Sequence, residues 1–157
     1  MRIQDIMCKH VETCRPEDTL AQAAQKMWEH DIGSLPVVAA DGRVTSVITD
    51  RDIAMDAYIK GKSLGELTVS EAMSHRLVTV QPTDELRVAE DRMRCEQVHR
   101  IPVVNVLGFL EGMVTVNDLA HHLRTSQLQE GLAPADVAAT LAPISSPRPG
   151  PSGCVGA

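Results

Sequence analysis

An internal repeat of 66 residues constrains the fold of this chain more than any other feature. Shifting the sequence by that length needs no gap and superposes the P-V-V motif at 36–38 on that at 102–104. It also superposes two T-x-x-D motifs, which begin at Thr49 and Thr115. The matches fall at turns, apolar faces and helix starts, where the choice of residue is most restricted. The chain is therefore predicted to use one structural unit twice.

The first copy opens with a predicted helical turn at 3–7, a brief strand at 11–13 and a helix. Asp18 and Thr19 are both candidate N-caps, because either side-chain oxygen can accept from an orphan N–H of the first turn. Apolar residues at steps of three and four give the helix one buried face, formed by Leu20, Ala23, Ala24 and Met27. The helix is predicted to end near His30-Asp31, with Ile32-Gly33 as its exit and Gly33 free to take a positive φ.

A hairpin and a second helix complete this copy. Strands are predicted at 35–38 and 43–49, joined by a turn at Asp41-Gly42, a pairing typical of two-residue hairpin loops. Asp50 is the candidate cap of the helix that follows, and Gly61 is expected to end it.

The second copy repeats this order, with strands predicted at 78–80, 101–105 and 109–115. Its first helix is predicted to begin at Thr83 or Asp84. Its last helix is predicted to run from Val116 or Asn117 to about residue 124. The link at 61–67 is too short for independently tumbling domains, so the copies are expected to pack face to face.

These boundaries predict two units, residues 1–62 and 67–124, followed by a tail at 125–157. Within the tail, 134–141 has the pattern of a short amphipathic helix. The segment 145–157 is rich in Pro, Gly and Ser and is expected to lack a buried core.

Composition excludes several classes of protein. The net charge of −6 argues against a chain whose main task is gripping nucleic acid. No stretch is long and apolar enough to span a membrane, and the first residues lack the apolar run of a signal peptide. A single Phe, Tyr and Trp leave the core to aliphatic residues and Met. We therefore expect a cytoplasmic protein that acts without nucleic acid or membrane.

The cysteines and histidines do not predict a metal site. The four cysteines have neither C-x-x-C nor zinc-finger spacing, and His121-His122 has no further ligands at suitable spacing. A disulfide joining Cys14 to Cys8 or Cys95 stays open as an alternative, although reduced thiols are the simplest expectation for a cytoplasmic protein.

The two copies resemble a pair of cystathionine β-synthase (CBS) domains. The matching words are I-G-S-L-P-V-V with S-V-I-T-D-R-D, and V-H-R-I-P-V-V with G-M-V-T-V-N-D. The openings D-I-M and E-A-M are also typical of the family. The resemblance covers residues 1 to about 124 and extends to small stand-alone bacterial CBS pairs, including the hypoxic-response type. It implies an α+β fold of two βαββα repeats related by a pseudo-twofold axis.

The resemblance also implies a function. CBS pairs usually sense a ligand that carries adenosine, regulate rather than catalyse, and form a disk-like homodimer through their helices. The chain is accordingly expected to signal to a protein effector that its sequence does not identify. No nucleophile–base pair, phosphate-gripping glycine loop or metal-ligand spacing supports an enzyme. A protein that only dimerises, with degenerate ligand sites, is the competing hypothesis.

The cleft between the copies is predicted to hold two quasi-equivalent sites. An ionised Asp can accept from both ribose hydroxyls, while a Thr hydroxyl and a helix N-terminus can donate to phosphate. The first set of candidate ligand-binding residues is Val11, Thr13, Ile32, Ser34, Pro36, Thr49, Arg51 and Asp52. The second set is Val78, Val98, Arg100, Pro102, Thr115, Asn117 and Asp118. The plainer interpretation of each T-x-x-D motif is a strand end followed by a helix cap.

The two sets differ in charge and in how closely a neighbouring backbone can approach. Ser46 stands where the family prefers Gly, which predicts a tighter backbone approach in the first copy. Arg51 has Asn117 as its counterpart, and Arg100 is predicted to enter the cleft, with His99 assisting, so that both arginines serve phosphates across it. Arginines favour AMP, ADP, ATP or NAD over S-adenosylmethionine, which carries no phosphate.

Overall fold

The structure is a computed structural model that describes residues 1–122 and residue 142. The helix predicted at 134–141, the segment at 145–157 and the predicted end of the last helix near residue 124 lie outside the described residues.

Helices and strands alternate in the order expected for a repeated unit. After a 3-10 turn at Ile3–Asp5, the first copy contains α1 (Leu20–Glu29), β1 (Ser34–Val38), β2 (Val44–Thr49) and α2 (Asp50–Lys60). The second copy contains α3 (Val69–Ala72), α4 (Leu86–Glu96), β3 (Arg100–Val104), β4 (Leu110–Thr115) and helical residues 116–122, which we label α5. The predicted α+β class and the repeat are confirmed.

Each copy forms its own antiparallel strand pair with the same register. Ser34 lies opposite Thr49 in the first pair, and Arg100 lies opposite Thr115 in the second. Both pairs shift register near the hairpin, and Gly42 and Gly108 take φ values of 85° and 88° at the turns. This is the backbone region that favours glycine, but Ala39 N donates to Arg43 O, so the first loop spans residues 40–42 rather than the two residues predicted.

The brief strands predicted at 11–13 and 78–80 do not form. Each is reduced to a single parallel bridge. In the first copy the bridge joins Cys14, one residue after the predicted strand, to Val37, and in the second it joins Val80, the last residue of the predicted strand, to Val103. A proline follows each bridge after one further residue. Because proline lacks an N–H, it cannot extend the ladder, and the pairing stops at one residue.

Two of the four predicted helix starts agree with the structure, and two were placed wrongly. Thr19, one of two candidates, caps α1 by accepting from Gln22 N. Neither Thr83 nor Asp84 caps α4, which starts after Glu85 without a side-chain cap bond. The N-cap of α2 is Thr49 rather than Asp50, and α5 begins at residue 116.

The left-handed residue that follows α1 differs from the one predicted, and the second copy uses the equivalent position. Asp31, with φ 52°, takes the conformation expected of Gly33, and its counterpart Gln97 has φ 53°. The ends of α1 and α4 themselves agree with the sequence, since their C-caps are His30 and Gln97. Gly61 ends α2 with φ 62°, as predicted.

Two hydrophobic cores form, and the copies exchange their leading segments. Ile3 is fully buried in the core of the second copy, beside Val80 and Met93. Its counterpart Val69 is fully buried with Leu67 in the core of the first copy. Burying one such side chain contributes about 1.5–3 kcal/mol, so each core depends on a segment that precedes the other copy.

Equivalent positions of the two copies touch, and these contacts mark the pseudo-twofold axis. Arg43 forms a backbone bridge with Phe109, exactly one repeat further on in sequence. Arg100 Nη1 donates to Ser34 Oγ at 3.1 Å, and these two positions are also equivalent. The strand-to-helix turns of both copies lie beside the second contact, because Ser34 and Arg100 pair with the strand ends.

Candidate functional site

The first T-x-x-D motif forms a closed capping box at the start of α2. Thr49 donates to Asp52 Oδ2 through its backbone N at 2.9 Å and its hydroxyl at 2.8 Å. Asp52 N returns a hydrogen bond to Thr49 Oγ1 at 3.2 Å. The side chains therefore hold each other at the strand-to-helix turn and satisfy two orphan groups of the helix end.

The second motif has the same geometry. Thr115 donates to Asp118 Oδ2 from its N at 2.8 Å and its hydroxyl at 2.7 Å, and Asp118 N donates back at 3.2 Å. Each threonine proton is thus committed to a carboxylate and is not available to a phosphate. Within residues 1–122, Oδ1 of Asp52 and of Asp118 accepts no hydrogen bond, which leaves each carboxylate one oriented acceptor.

Arg100 is the residue that links the two halves of the predicted site. Its Nη1 donates to Ser34 and also lies close to Gly33, 3.5 Å from the point that a Cβ on this glycine would occupy. Asp50 Oδ2 lies 3.2 Å from the same point. Arg100 forms no ion pair with any described residue. A guanidinium has five N–H donors, so most of its donors are left for a ligand.

The position of Ser46 makes the two halves unequal. At its counterpart Gly112, an added Cβ would lie 2.7 Å from Cys8 O, because Cys8 and Met113 exchange two backbone bonds of 2.9 Å. In the first copy the Ser46 hydroxyl instead donates to Ser74 O. There the backbone contact is a single longer bond of 3.4 Å, from Ser74 N to Val47 O.

The approach predicted to be tighter at Ser46 is therefore looser along the backbone. A side-chain hydrogen bond replaces half of the backbone bridge. Sequence reasoning missed Ser74, although the repeat relates it to Cys8 and its contact with the glycine position follows by symmetry.

The remaining candidate residues divide into buried or half-buried residues and exposed ones. Pro36 and Pro102 are buried in their strands, while Ile32, Val78 and Val98 are half-buried against the two cores. Val11 and Thr13 are half-buried in the segment that enters the first core, where Thr13 O accepts from Lys26 Nζ at 2.8 Å. Arg51, Asn117 and His99 are exposed.

A surface depression lies away from these residues. It has a volume of about 560 Å³ and is open to solvent, with a lining formed by Gln4, Asp5, Met7, Lys9, Pro82 and Glu111. No candidate ligand-binding residue lines it.

The cysteines do not form the disulfides left open by the sequence. Cys8, Cys14 and Cys95 are free thiols, and Cys14 is buried in the first core. Burial, and secondarily the charge of Asp18, raise the pKa of the Cys14 thiol to about 12, against an opposing effect of Lys26. Within residues 1–122 and 142, no three His, Cys, Asp or Glu side chains come together as metal ligands.

A family model matches both copies. The model of the CBS domain matches residues 3–56 and again residues 69–125. The chain belongs to the CBS-domain family. This confirms the resemblance that the two motif pairs carry, and the strand-to-helix turns described above are those of a CBS pair.

The CBS pair is similar to stand-alone bacterial proteins. It is 37% identical over 118 residues to the CBS domain-containing protein YhcV of Bacillus subtilis, covering 75% of this chain and 82% of the relative. It is 35% identical over 120 residues to hypoxic response protein 1 of Mycobacterium tuberculosis, covering 76% and 83%.

Solved structures share the fold. Hypoxic Response Protein I, crystallised with two coordinated zinc ions, superposes with a TM-score of 0.71 at 34% identity, over 78% of this chain and 98% of that one. The CBS pair of MJ0100, in complex with 5′-methylthioadenosine and S-adenosyl-L-methionine, has a TM-score of 0.72 at 25% identity, over 80% and 98%. Among the described residues, no helix has the length and apolar character needed to cross a bilayer.

Proposed function

We propose that this CBS pair binds an adenine nucleotide in the cleft between its copies and passes the binding state to a partner protein. The single observation that carries this proposal is the position of Arg100, which reaches across the pseudo-twofold axis to Ser34 without an ion-pair partner in the described part. Arg100 lies opposite Thr115, and its partner Ser34 lies opposite Thr49. A partly buried phosphate donor therefore connects the two turns whose carboxylates can accept from ribose.

The asymmetry of the axis supports one preferred nucleotide rather than two equal ones. The position equivalent to Arg100 is Ser34, so this pair of positions supplies one cation where two-fold symmetry would give two. Arg51, proposed at first as a second phosphate partner, is exposed at the start of α2. A ligand seated nearest Arg100 thus gains a charge-assisted contact that its quasi-equivalent site lacks.

Phosphate is the basis for preferring AMP, ADP, ATP or NAD to S-adenosylmethionine. The MJ0100 pair is a relative in complex with S-adenosyl-L-methionine and 5′-methylthioadenosine, which shows that this fold accepts adenosine without phosphate. In the present chain, the free N–H donors of Arg100 would find no phosphate to bind in such a ligand. The nucleotide preference is therefore tied to this side chain.

A calorimetric titration of the folded protein with AMP, ATP, NAD and S-adenosylmethionine tests the proposal. We expect Arg100→Ser, which installs the residue found at position 34, to weaken nucleotide binding about 10- to 100-fold, as loss of a hydrogen bond to a charged group does. Binding of S-adenosylmethionine should change little. The control Arg87→Gln removes an exposed arginine of α4 and should leave every affinity unchanged.

No binding of any of the four ligands by folded protein would end this proposal and favour a second one. In that case the chain is a non-catalytic dimerisation protein whose sites are degenerate. The closed capping boxes favour this second function, because they give Thr49 and Thr115 a structural role that needs no ligand.

Cellular context is part of the same proposal. We place the protein in the cytoplasm, as a homodimer that works in a stress response and acts on its effector by a change of shape rather than by catalysis. The similarity to hypoxic response protein 1 supports the stress connection. Native mass spectrometry of the purified protein would report its oligomeric state and any nucleotide carried with it.

A further inference from the structure

Two short segments that enter the cores, residues 11–13 and 77–79, have backbone groups without partners. We call them the entry segments. Each is followed by one bridging residue, Cys14 or Val80, which makes two backbone hydrogen bonds to its strand pair. Within the described part of the chain, the entry segments themselves make no hydrogen bond to another backbone group. Most of their residues are nevertheless half-buried.

A cation on the neighbouring helix binds the last carbonyl of each entry segment. Lys26 Nζ of α1 donates to Thr13 O at 2.8 Å, and Arg92 Nη1 of α4 donates to Thr79 O. Among the described residues, these are the only hydrogen bonds that the backbones of the two segments make. A charged donor forms a stronger hydrogen bond than a neutral one, so one such bond can fix a carbonyl in place.

The repeat keeps this contact while the rest of the helix surface changes. Helices α1 and α4 share three identical residues, the apolar ones at 20, 23 and 27 of the first copy. Among the other positions of α1 and their counterparts, only Lys26 and Arg92 carry the same charge. Lysine and arginine differ in head group, so the feature common to both copies is a long cation that reaches a carbonyl.

The other contacts of the entry segments do not fix the direction of their backbones. Glu12 Oε1 lies 4.0 Å from His30 Nε2, but both side chains are about half exposed, where an ion pair contributes little. Val78 packs against the second core, and apolar contact is non-directional. The orientation of the unpaired N–H and C=O groups therefore depends on Lys26 and Arg92.

Unpaired backbone groups in a half-buried segment suit the edge of a purine base. Adenine presents an exocyclic amino group as a donor and ring nitrogens as acceptors. A backbone C=O and N–H can meet both, provided that they are held in direction, because hydrogen bonds weaken steeply away from linear geometry. The candidate ligand-binding residues Val11, Thr13 and Val78 lie on these segments.

We propose that Lys26 and Arg92 are positioning residues, which fix the entry segments so that their unpaired backbone groups face the 6-amino edge of an adenine. The inference rests on the proposed function, and it assigns to the entry segments the discrimination of adenine from a base with a 6-oxo group. Neither cation contacts the ligand. Lys26 is half-buried whereas Arg92 is exposed, so the loss of Lys26 should have the larger effect.

NMR relaxation of the nucleotide-free protein tests the positioning role by itself. In the native chain, the amide order parameters of both entry segments should be about 0.85, the value of rigid backbone. Lys26→Met should lower them in 11–13, and Arg92→Met in 77–79, to about 0.6 or less, with the other elements unchanged. Methionine keeps an aliphatic stem and removes the donor. Entry segments that are mobile in the native chain, or equally ordered in the variants, would overturn the proposal.

Calorimetry with matched nucleotides tests the consequence for recognition. The native chain should bind AMP about 3- to 10-fold more tightly than IMP, and ATP more tightly than ITP by the same factor, as one hydrogen bond provides. The double variant Lys26→Met with Arg92→Met should bring both ratios close to one. A merely structural role would weaken both nucleotides of each pair equally and leave the ratios unchanged. That result, or a native chain that does not distinguish AMP from IMP, would contradict the assignment.

Two controls separate the donor from the rest of the side chain. Exchange of the cations, Lys26→Arg with Arg92→Lys, keeps a donor at both positions and should retain the native ratios and order parameters. Arg87→Met removes an exposed cation of α4 that binds no entry segment and should change neither quantity. A loss in either control would overturn the proposal. No binding of any nucleotide would end the proposed function and with it the adenine assignment, whereas unchanged order parameters in the methionine variants would overturn the positioning role alone.

Discussion

At the scale of single residues, small side chains decide how the two halves of the site differ. Gly112 admits the segment around Cys8 to within backbone hydrogen-bonding distance, while Ser46 holds the corresponding segment by its hydroxyl. The T-x-x-D motifs are the same in both halves to within 0.1 Å in each hydrogen bond. The halves therefore share their capping chemistry and differ in the segment that closes beside it.

Gly112→Ala should destabilise the protein by about 1–3 kcal/mol, because its Cβ would press on Cys8 O and on the side chain of Met7. Chemical denaturation measures the effect. Ser46→Gly is the matched variant, and it should cost about 0.5–1.5 kcal/mol through loss of its hydrogen bond. A Gly112→Ala protein as stable as the native one would show that the segment moves aside freely.

Cys14 predicts a pH dependence of stability. Its pKa is raised from 9.0 to about 12 by burial, so the folded state keeps the thiol proton that the unfolded state loses above pH 9. The contribution is complete below pH 9 and is lost as pH rises towards 12, by up to about 1.4 kcal/mol per pH unit. Denaturation of native and Cys14→Ala protein at pH 7–10 should give a steeper decline for the native chain. Equal slopes would contradict the shift.

At the scale of elements, the equivalent helices α1 and α4 begin differently. Thr19 accepts from Gln22 N and the Gln22 side chain accepts from Thr19 N, whereas Glu85 makes no side-chain cap bond. The sequence shows Thr19 and Glu85 at equivalent positions, but the presence of Thr83 and Asp84 just before Glu85 led the prediction to the wrong cap. Asp84 instead accepts from Gln81 N at 2.8 Å, within the turn that precedes α4.

Glu85→Thr should therefore stabilise the protein by about 0.5–2 kcal/mol, the usual value of a good N-cap. Thr19→Glu, the reverse exchange at the equivalent position, should destabilise it by a similar amount. Midpoints of urea denaturation give both values. If Glu85→Thr had no effect while Thr19→Glu did, the start of α4 would be fixed by its neighbours rather than by its cap.

At the scale of the whole molecule, the exchange of leading segments makes the two copies one cooperative unit. Ile3 completes the second core and Val69 completes the first, and the bridges from Arg2 to Glu85 and from Thr19 to Thr68 follow the same exchange. A division at 1–62 and 67–124 separates the chain by sequence. Each segment that starts a unit nevertheless packs on the other one.

Ile3→Ala should destabilise the molecule by about 2–5 kcal/mol, as for a buried core residue, despite lying near the start of the chain. Hydrogen exchange should then rise first in α4 and β3, which surround this side chain, rather than in α1. Val106→Ala is the control, because Val106 is 82% exposed and should change neither quantity. Faster exchange confined to the first copy would contradict the observed packing.

The sequence alone determined the repeat, the order of helices and strands, the glycine turns and the family. These features depend on local periodicity and on residues such as Gly42, Gly108 and Gly61 whose backbone conformations are set by their own chemistry. It also selected both T-x-x-D turns and Arg100, although their roles in ligand binding stay predictions.

Only the tertiary structure decided which core each leading segment joins and which of several polar residues begins each helix. It also decided how the segments around Ser74 and Cys8 contact Ser46 and Gly112. It also decided that Arg100 meets Ser34 and that Trp28 and Tyr58 face solvent. Such contacts join residues far apart in sequence, and local propensity is the same whichever partner is present. Their selection depends on packing, which balances buried area and hydrogen bonds over the whole molecule.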